Sequence, residues 1–130
     1  MDSGCSHHVC HERELFSTFA KSSGLVVMGN DQSCPIEGVG LVKIRMFDGV
    51  LRTLQEVKYI PQVRKNLISL GTLDARGYRT EAEAGVMEVM DKNKVIMKAI
   101  RQRRNLFVLQ GNACNGDVFA VTNQVEMPQL

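Results

Sequence analysis

The chain has 130 residues, 44% of them hydrophobic, with five Phe, two Tyr, no Trp and a formal net charge of +2. That length suits one domain able to bury roughly two-thirds of its unfolded surface without covalent staples. So small a charge does not demand nucleic acid or an anionic membrane as partner, and no run reaches the ~18 apolar residues of a membrane span.

The chain opens "MDSGCSHHVCHERELF". No secretory leader stands before Asp2, so the expected compartment is the cytoplasm or the nucleus, with Cys5, Cys10, Cys34 and Cys114 as thiols. Leu15, Phe16 and Phe19 have the spacing of one face of a short helix beginning near Glu12. "GLVVMGND" (24–31) has the length and bounds of a buried strand. From Leu41 to Phe47 the pattern alternates, with Val42, Ile44 and Met46 on one face and Lys43 and Arg45 on the other. Asp48-Gly49 is a two-residue hairpin signal, and the return strand runs from Val50 to Tyr59 before Pro61 ends it.

"NLISLGTLDARGY" (66–78) reads as a short strand entering one helix near 71–76, with Gly77 as its stop. "YRTEAE", "GVMEVMD" and "KVIMKAI" predict three strands, with a turn at Asp91-Lys92-Asn93, and "NLFVLQG" (105–111) predicts a last one. Lys98, Arg101, Arg103 and Arg104 fall in a predicted loop, and a basic turn in solvent explains them better than nucleic-acid contact, since no aromatic residues interleave with them. Residues 111–130 have weak periodicity and read as a tail after a domain of 1–110. Many short strands with one helix predict an all-β fold, a small barrel or sandwich.

Three chemistries are open to the first residues. Cys5, His7, His8, Cys10 and His11 carry zinc-type ligand atoms, but all lie within seven residues and no second ligand pair follows. No metal or other cofactor is therefore expected. Cys5 with His8 as base would make a thiol nucleophile, against the plainer reading of small residues in a turn. Asp2-Ser3-Gly4 is the turn an aspartic protease needs twice, because two close carboxylates share one proton and divide the roles of acid and base. With one copy per chain, such a dyad requires a homodimer.

Longer motifs favour that third chemistry. "DSGCSHHVCHERELFSTF", "VVMGND…IEGVGLVKIRM", "VKYIPQVRKNLISLGTL" and "NLFVLQGNA" occur in this order over residues 2–111. Together they resemble the retropepsin-like protease segment of copia-type LTR retrotransposon Pol polyproteins, plant type, ending at the pre-integrase junction. The resemblance implies a small closed β-barrel with one short helix. It implies Asp2 as the catalytic carboxylate with Ser3 and Gly4 beside it, and His8 as the family's recurrent histidine. Gly38, Val39 and Gly40 correspond to a substrate-binding flap, and Ile68, Leu70 and Gly71 to the element bracing the catalytic turn. It also implies a hydrophobic strand before Asp2, where this sequence has Met1 alone, so the expected enzyme is shortened at its amino end and its activity is uncertain. The expected substrate is polypeptide, namely junctions of its own polyprotein. A β-barrel remnant serving as a structural or interaction module is the alternative.

Overall fold

The computed structural model describes residues 7–27, 32–103, 106–113 and 119–122. Strand β1 (Val9–Cys10) is followed by a 3₁₀ turn at Arg13–Leu15 and by β2 (Phe16–Lys21). The helix expected near Glu12 is thus a single turn, and Phe16 and Phe19 belong to a strand. Phe16, Phe19 and Tyr59 stack edge to face with centroids 5.5 to 5.8 Å apart, a packing that the strand geometry permits. Next come β3 (Leu25–Val27) and β4 (Ser33–Pro35), then β5 (Gly38–Met46) and β6 (Leu51–Tyr59). Val42, Ile44 and Met46 of β5 are buried while Lys43 and Arg45 are exposed, the alternation read from the sequence. At the hairpin tip Val50 N–H donates to the Asp48 carboxylate at 3.1 Å.

The chain continues through β7 (Asn66–Ser69), α1 (Leu70–Ala75), β8 (Arg79–Glu83), β9 (Val86–Asp91) and β10 (Lys94–Arg103). Ser69 caps α1, its Oγ accepting from Thr72 N–H at 3.1 Å. Strands β11 (Leu106–Leu109), β12 (Gly111–Ala113) and β13 (Phe119–Thr122) follow. The basic stretch expected in a loop is the end of β10, where Lys98 lies over the Phe47 ring and Arg101 over Phe107. Arg104 lies outside the described residues.

Eleven of these strands form one sheet in the order β12-β5-β6-β1-β7-β13-β11-β10-β9-β8, with β2 also on β5. The all-β class with one short helix holds, but among the described residues the sheet is not closed by hydrogen bonds, β8 pairing only with β9. A local break explains how it still wraps one core. After β11 has paired with β10, the chain turns at Gly111 and β12 pairs with β5 instead. Gly111 has φ +147°, and a Cβ there would strike the Arg45 carbonyl, so only glycine fits.

Within the expected tail, residues 111–113 and 119–122 are strands of the sheet. β13 lies between β7, parallel, and β11, antiparallel, and Phe119, Ala120 and Val121 are buried. Its run is too short to show a period, and its apolar residues point to both faces. β1, β7 and β13 are covered on both sides. Cys10, Ile68, Phe119 and Val121 enter the inner core, whereas Val9, Leu67 and Ala120 join Val26, Cys34, Ile60 and Val63 in an outer cluster. Strands buried twice lose alternation and read as continuous apolar runs.

Candidate functional site

Asp2, Ser3 and Gly4 lie outside the described residues, as do Cys5 and Cys114. What the structure gives is the framework that receives the chain just after them. β1 is two residues long, yet it holds a central place, parallel to β6 and antiparallel to β7. Lys58 N–H donates to the His8 carbonyl at 2.9 Å and Ile60 N–H to the Cys10 carbonyl at 3.0 Å. Six residues after Asp2 the backbone is therefore fixed in the sheet.

His8 adds a side-chain lock. It is 1% exposed, and its Nδ1 accepts from Ser69 N–H at 2.9 Å. Ser69 in turn caps α1, so His8, Ser69 and Thr72 connect β1, β7 and the helix. An acceptor Nδ1 leaves the proton on Nε2, a donor that meets no partner among the described residues. Burial lowers the His8 pKa to about 4, with the nearby Arg76 charge and His7 acting in the same direction. His7 is half-buried and its pKa is also lowered, first by burial and then by Lys58, against the opposing pull of Glu56. Arg76 is held at the end of α1 by its ion pair with Glu56 at 2.8 Å.

Ile68 is fully buried under this lock, and Leu70 and Gly71 begin the helix that the lock caps. Gly38, Val39 and Gly40 stand at the start of β5, paired with Lys21, Ala20 and Phe19 of β2 on one edge and with β6 on the other. A Cβ on Gly40 would strike the Thr18 carbonyl, and one on Gly38 the Phe19 ring. The close neighbours of both glycines belong to β2.

One feature the sequence misled about is the hairpin β3–β4. It forms its own two-stranded sheet with Val26 paired to Cys34. Val26 and Cys34 pack onto the outer cluster, but Leu25 is 69% and Val27 59% exposed, where the sequence predicted a buried strand. Leu-Val-Val has no polar residue to mark its open side, so the only available signal was its shortness between Gly24 and the later Pro35. Among the described residues no three His, Cys, Asp or Glu side chains come together as a metal site, and no helix is long and apolar enough to cross a membrane. His8 and Cys10 are buried, His7 and His11 lie near the surface, so strand alternation separates the zinc-type ligands.

The model of the Pol polyprotein β-barrel domain matches residues 1–78. The chain belongs to the Pol polyprotein β-barrel domain family. This Pol domain is 30% identical over 128 residues to the retrovirus-related Pol polyprotein from transposon TNT 1-94 of Nicotiana tabacum. That alignment takes in 98% of this chain and 10% of the tobacco protein. It is 43% identical over 70 residues to a Saccharomyces cerevisiae protein named for transposon Ty5-1, covering 53% of this chain and 44% of the yeast protein. The domain thus spans a small part of the tobacco relative and less than half of the yeast one. No solved structure matches it. The Pol domain is retrotransposon-derived.

Proposed function

We propose that the Pol domain is the aspartic endopeptidase of a copia-type element, each copy contributing one Asp2-Ser3-Gly4 turn to a site shared by two chains. The observation that supports it most is the His8–Ser69 bond, which fixes the strand leaving that turn against the start of α1. A shared dyad needs both carboxylates held to within about 0.5 Å, and a chain anchored in a central strand a few residues after Asp2 suits that demand better than one anchored in a loop. In this reading one Asp2 carboxylate takes a proton from water while the other, protonated, donates to the peptide carbonyl. Both arms of the hairpin β3–β4 lie on the outer cluster, and the exposed Leu25 and Val27 offer apolar contacts to a polypeptide substrate. The substrate would be the junctions of its own polyprotein, cut in the cytoplasm. The buried Cys10 and Cys34 side chains fit a reducing compartment.

The test combines light scattering with cleavage of peptides spanning the polyprotein's own junctions, at pH 5–6. The expected result is a dimer that dissociates on dilution, with cleavage that follows the dimer and vanishes in Asp2→Asn. A chain that stays monomeric at high concentration, or cleavage retained by Asp2→Asn, would overturn the proposal.

A further inference from the structure

An open cleft of about 510 Å³ lies where the chain leaves β1 and enters β7, and Asn66 forms part of its wall. Asn66 is 3% exposed, and its Oδ1 is committed to His11 N–H at 3.0 Å. That bond fixes the amide, so its Nδ2 donors face away from His11, and no described residue accepts from them. An amide held in place through its oxygen, with its donors bonded to no described residue and bordering a cleft, is placed to receive an acceptor.

The charges around it specify which kind. Arg64 and Lys65 sit side by side in the connection from β6 to β7 and form no ion pair with any described residue. Glu12, also lining the cleft, has its carboxylate 3.7 Å from His11 Nε2. Two cations against one carboxylate, with histidine counted as neutral, leave a balance of +1. That balance complements one negative charge and disfavours a phosphate dianion. The remaining wall is apolar, from Val108 and Ala120. A lone ion would leave that wall unused and most of the volume empty.

We infer that this cleft binds a single carboxylate carried on a peptide, with Asn66 Nδ2 and the Arg64 guanidinium as donors, Lys65 as a point charge, and Val108 and Ala120 against the peptide's apolar part. The carboxylate is either a chain terminus or an acidic side chain; the chemistry at the donors is the same. The inference uses no residue of the Asp2-Ser3-Gly4 turn and does not depend on peptidase activity.

Calorimetric titration of the whole chain tests it with acetyl-Leu-Ala bearing a free terminal carboxylate, acetyl-Leu-Glu-amide, the neutral acetyl-Leu-Gln-amide, and inorganic phosphate. One or both carboxylate peptides are expected to bind, which identifies the source, and the neutral peptide is not. Asn66→Asp keeps the acceptor for His11 N–H but replaces the donors by a negative oxygen, and should weaken binding by about tenfold or more. The surface pair Arg64→Gln with Lys65→Gln should do the same at an unchanged melting temperature, and decides the matter alone if Asn66→Asp fails to fold. Equal binding of the neutral peptide, tighter binding of phosphate, no carboxylate binding at millimolar concentration, or undiminished binding by the double variant would overturn the inference.

Discussion

His8 shows how much one side chain can join. Its Nδ1 accepts the hydrogen bond of Ser69 N–H in a buried place. His8→Leu fills the space but leaves that N–H unpaired, and should cost about 1–3 kcal/mol in urea unfolding. His8→Asn can present an oxygen near the same point and should cost less. The unfolded chain takes up a proton near pH 6.5, whereas the folded His8 does so only near about 4. Between those values the unfolded state binds more protons, so acid favours unfolding. Stability should therefore be full above pH 6.5 and fall toward pH 4 by at most about 3 kcal/mol. His7 adds a smaller change of the same sign. Urea midpoints at several pH values check this, and His8→Asn should flatten most of the slope. At Gly40 the limit is steric rather than electrostatic. Gly40→Ala drives a methyl group into the Thr18 carbonyl, and should destabilise by more than about 1 kcal/mol while loosening β2, visible as faster amide exchange there.

Among the elements, β13 carries more than its length suggests. It fills the slot between β7 and β11, and Phe119 is the largest fully buried side chain among the described residues. Ending the chain after Gln110 would remove β12 and β13 and leave one edge of β7 and one of β11 without a paired strand. Such a truncation should not give a dispersed amide spectrum, while ending it after Thr122 should. Phe119→Ala within the full chain should cost about 3–5 kcal/mol. The hairpin β5–β6 presents the opposite case. Its alternation, its Asp-Gly tip and its pairing are local, so the sequence displays them openly. β3–β4 has local pairing too, but its burial depends on strands far along the chain.

For the whole molecule, the inner core and the outer cluster share β1, β7 and β13, so neither can unfold alone. Leu67 belongs to the outer cluster and Ile68 to the inner one. Leu67→Ala and Ile68→Ala should each shift one common transition, with fluorescence-free probes such as far-UV dichroism and amide exchange giving the same midpoint. Two separate transitions in either variant would show that the clusters are independent. The buried Cys10 and Cys34 thiols should react with a thiol reagent only as fast as that transition opens them.

Strand alternation, hairpin tip, helix cap and the order of the family's motifs depend on residues a few positions apart. The sequence therefore determined the all-β class, the elements from Leu41 to Gly77 and the family to which the chain belongs. Whether Leu25 is covered, where residues 119–122 go and which of His7, His8 and His11 is buried depend on contacts between segments distant in the chain. Asn66 is the clearest instance: its neighbours in sequence say nothing of its fixed amide, because His11, the residue that fixes it, is 55 positions away. Only the folded chain brings His11 to Asn66 and to the cations that directly precede it.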